Sequence, residues 1–172
     1  MVNLNKITIH WTAATYVPNA IDSLHYHFLI DNQGRVFKGN FKPEDNKDCS
    51  DGKYAAHCGG GNTGNIGIGL CGMYGFKNKN FSVNYPLTKI QLETCFQLCA
   101  ELSKMYNIPI TKENIFTHYE FGKKHPKTSS AGKIDIIYLP PYSDISQDNI
   151  GDFIRQKIYW YSQNLYNRKR IL

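Results

Sequence analysis

The chain has 172 residues, with 41% hydrophobic and 20% charged side chains, a composition that fits one globular core and excludes a disordered polymer or a multi-domain assembly. Its negative mean hydropathy argues against a membrane span. A formal net charge of +6 favours an anionic partner, but outside Lys123-Lys124 and the terminal Arg168-Lys169-Arg170 the basic residues are scattered, unlike the clustered footprint of a nucleic-acid reader.

Residues 1–10 lack the apolar stretch and small-residue cleavage site of an export signal, so the expectation is synthesis in the cytoplasm without a signal peptide. From Lys6 to Thr12 the pattern alternates, with Ile7, Ile9 and Trp11 on one side of a strand and Thr8, His10 and Thr12 on the other. Tyr26 to Gly39 reads as a hairpin, because two apolar runs flank the turn signal Asp31-Asn32-Gln33-Gly34. Lys38 to Tyr54 is polar and irregular and reads as a surface loop. Asn65 to Cys71 is a glycine-rich strand, in which glycine marks the close approach of another backbone or a ligand.

Thr88 and Gln91 form a capping box that opens a helix, and Ile90, Cys95, Phe96, Cys99, Leu102 and Tyr106 then recur at helical spacing until Pro109. Gly122 to Gly132 is a polar connection. Ile150, Phe153, Ile154, Ile158, Tyr161 and Leu165 make the apolar stripe of a second amphipathic helix near 148–167, with Arg155 largely off it, and that helix is expected to cover the core. Strands followed by helices predict a mixed α/β fold, a central mixed β-sheet flanked by helices in a single domain over 1–172. Cys49, Cys58, Cys71, Cys95 and Cys99 are odd in number and irregularly spaced, which fits reduced thiols better than a disulfide framework.

Three distant segments each carry a metal-binding side chain: Ile-Thr-Ile-His10-Trp-Thr-Ala, Ile-Phe-Thr-His118-Tyr-Glu and Gly-Lys133-Ile-Asp135. Two imidazoles and one carboxylate suit a single zinc ion with an open coordination position, where bound water reaches a pKa of ~7 and serves hydrolysis. Each of these residues taken alone is weak evidence. Cys58 beside His57 could suggest a thiol nucleophile, but a metal site makes that unnecessary. Gly59-Gly60-Gly61 lacks the Lys-Ser/Thr ending of a phosphate loop.

In order and local context, His10-Trp-Thr-Ala, Tyr26-His-Phe-Leu-Ile-Asp, Ala56-His57, Asn65-Ile-Gly-Ile-Gly-Leu, Thr117-His118 and Lys133-Ile-Asp135 resemble the zinc-dependent N-acetylmuramoyl-L-alanine amidases of the type-2 family, which share a fold with peptidoglycan recognition proteins. The resemblance spans roughly residues 5 to 139 and implies His10, His118 and Asp135 as ligands of one Zn2+ ion. It implies Tyr26 and Lys133 as catalytic residues and His57 as a substrate-groove residue. His27 joins His57 as a substrate-binding candidate, and both are alternatives to Tyr26 for proton transfer. Lys133 could stabilise the oxyanion, and strand-like alternation would put it on one face with Asp135. The chain departs from the family where relatives place proline after the third ligand, since Ile136-Ile137-Tyr138-Leu139 precede Pro140, so that loop is expected to have a different shape.

The implied activity is hydrolysis of the amide between N-acetylmuramic acid and L-alanine in peptidoglycan by a monomer. The expected setting is a phage or prophage endolysin made in the host cytoplasm and acting on the cell wall after release. Its basic tail is a candidate contact for anionic lipid or wall polymer, and nucleic acid is not an expected partner. The alternatives are a cytoplasmic muropeptide-recycling amidase, a non-catalytic peptidoglycan-binding module and a two-metal phosphoesterase, the last needing a second carboxylate cluster that the sequence does not offer.

Overall fold

The structure, a computed structural model, describes residues 3–79, 83–165 and 170–172. Arg168 and Lys169 of the basic tail, and the last residues of the helix expected near 148–167, lie outside that set. Five strands form one mixed sheet in the order β3-β2-β4-β1-β5, comprising β1 (Lys6–Trp11), β2 (Phe28–Ile30), β3 (Val36–Lys38), β4 (Asn65–Leu70) and β5 (Ile115–Thr117). β1 runs parallel to both β4 and β5, and β2 is parallel to β4 but antiparallel to β3. The helices are α1 (Ala20–His25), α2 (Lys89–Tyr106), α3 (His118–Lys124) and α4 (Ile150–Asn164). Among the described residues no helix is long and apolar enough to cross a membrane.

Alternation in β1 sends Ile7, Ile9 and Trp11 into an apolar core that also takes Leu92, Phe96 and Leu102 of α2 and Ile154 and Ile158 of α4. Two-sided coverage is what a parallel centre requires, and it explains why β4 is buried at every position. The capping box of α2 forms as its sequence predicts, and the same Gln91 side chain also donates to the carbonyls of Ile30 (2.7 Å) and Cys71 (2.9 Å), fastening the helix to the ends of β2 and β4. Asn107 ends α2 in the left-handed conformation at φ 54°. All five cysteines are free.

Four local expectations are corrected. Ile90 is exposed, because a residue just inside the helix start turns away from the sheet. Arg155 is buried, because its guanidinium reaches across to the Ile115 carbonyl and the Glu120 carboxylate. The 38–54 loop contains a short 3-10 turn at Pro43–Lys47 whose Asn46 is wholly buried. Lys133 to Asp135 is not a strand; it leads into a tight turn closed by the Ile137 N–H donating to the Ile134 carbonyl at 3.3 Å.

Candidate metal centre

The second face of β1 carries Thr8 and His10, and the sheet register decides what His10 meets. Ile9 pairs with Thr117 across β1 and β5, so His10 and His118 follow side by side at the carboxyl ends of two adjacent parallel strands. Thr117 then caps α3 by accepting from the Glu120 N–H, while Glu120 accepts from the Thr117 N–H. This box fixes His118 as the first helical residue and stops the strand at the site. The pattern Thr-x-x-Glu marks a helix start in the sequence, and the helix takes in the first residues of the polar connection expected from Gly122 to Gly132.

The turn after Lys133 brings in Asp135. His10 Nδ1, His118 Nδ1 and Asp135 Oδ2 form a near-equilateral triangle with edges of 3.0, 3.1 and 3.0 Å. His10, His118 and Asp135 are also the described set of His, Cys and carboxylate side chains grouped closely enough to hold an ion.

Hydrogen bonding assigns the tautomers of both rings. His57 Nε2 lies 3.2 Å from the Asn65 carbonyl, which can only accept, so that nitrogen carries the proton. A neutral His57 then presents bare Nδ1 to His10 Nε2 at 3.1 Å, so the His10 proton sits on Nε2 and its Nδ1 is bare. On the other ring, His118 Nε2 donates to Ser130 Oγ at 2.9 Å, and that hydroxyl donates to the Gly59 carbonyl at 2.9 Å. Two imidazole lone pairs and a carboxylate oxygen thus converge with no proton among them. Such an arrangement repels itself unless a cation is held between the three atoms. Edges of about 3.0 Å need to open only slightly toward the roughly 3.3 Å separating tetrahedral donors with ~2.0 Å bonds to zinc. The donor set therefore fits the ion.

Burial keeps the rings of His10 and His57 neutral. It lowers His10 to about 4, against a smaller opposing effect of its hydrogen bond to Asp135. Burial also lowers His57 well below the ordinary histidine value, helped by the neighbouring His10 and His27.

Two glycines of β4 make room for this arrangement. A Cβ on Gly67 would collide with the His57 ring, and one on Gly69 would lie 2.8 Å from Tyr26 Cδ2. The glycine-rich strand read from the sequence therefore serves the close approach of two aromatic side chains.

Beside the triangle opens a groove of about 520 Å³, lined by Trp11, Tyr26, His57, Lys133 and Asp135 among others. The Tyr26 ring stands 5.2 Å from that of His10. Its hydroxyl has no hydrogen-bond partner among the described residues, and burial, aided by the charge of Asp135, pushes its ionisation well above the usual phenol value. The phenol stays protonated and can donate but not act as a base. Lys133 is exposed in the same groove, without an ion-pair partner among the described residues.

His57 touches the groove but spends both ring nitrogens on His10 and Asn65. His27 is not part of the groove lining: it accepts from the Gly67 N–H at 2.8 Å and donates to Asn46 Oδ1 at 2.9 Å. Sequence reasoning missed Ser130, Asn65 and Asn46, whose roles come from the fold bringing distant segments together. Cys58 is no nucleophile, since burial raises its thiol to about 11.

A sequence profile described as N-acetylmuramoyl-L-alanine amidase matches residues 2–133. No curated protein matches the chain at a significant level. Among solved structures, a mutant form of PlyL is 22% identical, with 92% of this chain and 86% of that one covered and a TM-score of 0.51. The N-acetylmuramoyl-L-alanine amidase LysC from Clostridium intestinale URNW is 17% identical over 92% of this chain and 87% of its own, with a TM-score of 0.53. The N-acetylmuramyl-L-alanine amidase AmiD from E. coli, solved with anhydro-N-acetylmuramic acid-L-Ala-D-gamma-Glu-L-Lys, is 19% identical, and the match covers 86% of this chain and 58% of that one at a TM-score of 0.52. At these identities the likeness establishes a common fold.

Proposed function

The chain belongs to the N-acetylmuramoyl-L-alanine amidase family, and from that premise we propose that it is a zinc-dependent hydrolase cleaving the amide between N-acetylmuramic acid and L-alanine in peptidoglycan. The observation that carries this reading is the triangle of bare acceptor atoms at His10, His118 and Asp135, with both imidazole protons tied up on the far sides of the rings. A zinc ion held by these three residues would supply Lewis acidity and a water nucleophilic at neutral pH. Two neutral imidazoles with one carboxylate suit zinc better than magnesium or calcium.

The remaining steps fall to side chains of the groove. As the amide carbon becomes tetrahedral, its oxygen gains negative charge, and Lys133, which lines the groove, would meet that charge. Tyr26, held protonated, donates a hydrogen bond to the developing oxyanion or orients the attacking water. The Tyr26 phenol does not serve as a base in its resting state. The Tyr26 ring offers an apolar face for the substrate.

Digestion of purified peptidoglycan followed by mass spectrometry tests the reading. New amino-terminal alanine, lost on chelation and regained with zinc, is the expected result; wall binding without new alanine would make the chain a binding module instead. We place the activity in wall lysis, as of an endolysin acting on its host, because a net charge of +6 favours an anionic wall. Release of material from intact sacculi supports that setting, whereas activity confined to small soluble muropeptides identifies a recycling enzyme.

A further inference from the structure

The three side chains of the triangle are aimed in two different ways. His10 is held by His57, which is fixed in turn by the Asn65 carbonyl, and His118 is held by Ser130, which is fixed by the Gly59 carbonyl. The Asp135 carboxylate has no such support: among the described residues its hydrogen-bond partners are the two imidazoles themselves. With no side chain behind it, the direction of Asp135 depends on its backbone.

That backbone is unusual at the next residue. Asp135 and Ile136 are the central pair of the turn closed between Ile134 and Ile137, and Ile136 has φ +66°. A positive φ at the third position of a tight turn calls for glycine or asparagine, and a β-branched residue rarely adopts it. Proline, fixed near −65°, is incompatible with this turn, in line with the altered loop expected from the sequence. Such a conformation persists only where its surroundings over-determine it. Here the surroundings are the main apolar core, into which the Ile136 side chain is inserted with 1% of its surface exposed. Consecutive residues thus point in opposite directions, Ile136 into the core and Asp135 toward the imidazoles.

We propose that Ile136 is a positioning residue for the metal, its core-bound side chain locking the 134–137 turn in the left-handed form that directs the Asp135 carboxylate at His10 and His118. The inference rests on the metal-site reading above. Glycine at 136 would relieve the backbone but remove the lock, leaving the turn free to visit both signs of φ and the carboxylate free to swing. Valine keeps the β-branch and most of the buried side chain.

The test measures zinc dissociation constants by competition with a chromophoric chelator, together with the visible spectrum of the cobalt-substituted protein. The variants are Ile136→Gly, Ile136→Val and, as a control elsewhere in the same core, Ile158→Ala. Loss of an outer support for a ligand usually weakens metal binding by about 10–100-fold. Ile136→Gly is expected to fall in that range and to lose four-coordinate cobalt absorption while circular dichroism shows a folded chain. Ile136→Val should remain within about twofold of the parent, and Ile158→Ala should lose thermal stability but keep its affinity. If Ile136→Gly does not fold, Ile136→Ala is read by the same criterion. Parental affinity and cobalt spectrum in the folded glycine or alanine variant overturn the proposal. Equal weakening in Ile158→Ala overturns it too, since affinity would then follow global stability. A parent protein that binds no zinc removes the metal reading itself and is distinguishable from both.

Discussion

The two faces of the central strands β1 and β4 do different work with equal burial. On one side Ile7, Ile9, Ile66 and Ile68 are packed in the apolar core. On the other, Thr8, His10 and Asn65 are just as dry, but each is hydrogen-bonded, His10 to His57 from the segment before β4, and among the described residues no buried side-chain nitrogen or oxygen lacks a partner. The apolar face draws stability from area removed from water, in amounts a substitution changes gradually. The polar face requires complete satisfaction, because a buried polar group left alone costs more than a made hydrogen bond returns. One strand can therefore stabilise the fold and present chemistry, provided its two sides are chemically separate.

Substitutions on the two faces should separate these roles. The largest effect is expected for His118→Ala, which removes a corner of the triangle and should bring turnover to background with zinc content lost and the fold retained by circular dichroism. A variant that keeps both zinc and turnover would erase the distinction between the faces. Lys133→Ala should lower kcat by about 10²–10³-fold, on the order of 2.7–4 kcal/mol, with zinc retained, as expected for one missing oxyanion donor. Normal turnover in that variant assigns the role to another group. On the apolar face, Ile9→Ala should cost about 2–5 kcal/mol in denaturant unfolding, with zinc affinity unchanged once the protein is folded.

Gly67→Ala joins the two effects, because its Cβ occupies the space of the His57 ring. Displacing that ring removes the acceptor that holds the His10 proton on Nε2, so zinc affinity should fall by about tenfold or more in chelator competition. An unchanged affinity would mean that His57 does not support His10.

A change of pH sharpens the comparison in another way. His10 and His27 are held neutral in the folded state, both lowered to about 4 chiefly by burial, whereas an unfolded histidine titrates near ~6.5. Between these values the unfolded chain binds more protons, so stability is full above about 6.5 and declines as pH falls toward about 4, by up to about 1.4 kcal/mol per pH unit for each such histidine. Urea midpoints of the metal-free protein across that window should show the decline, and a flat profile would indicate that these rings are not buried in neutral form.

The fold was legible where periodicity and caps speak locally: β1 with its two faces, the 26–39 hairpin, the glycine-rich strand and the Thr88–Gln91 box all form. The short helix α3 was legible too, through Thr117 and Glu120, but its polar sequence lacks the apolar stripe by which α2 and α4 are recognised. The approach of His10, His118 and Asp135 could be inferred only through family resemblance, because strand register, not sequence distance, brings the first two together. Ser130 and Asn65 were beyond reach, since a serine or asparagine in a loop or strand carries no local sign that it will meet a distant backbone carbonyl or ring. The same holds for Ile136, which reads as an ordinary apolar residue until its φ is known.

The central claim is that one cation joins His10, His118 and Asp135. Its most direct measurement is zinc content per chain after dialysis, for the parent and for Asp135→Ala. The account predicts about one zinc per parent chain and a sharp loss in the variant; a parent without zinc, or a variant that retains it in full, would contradict it.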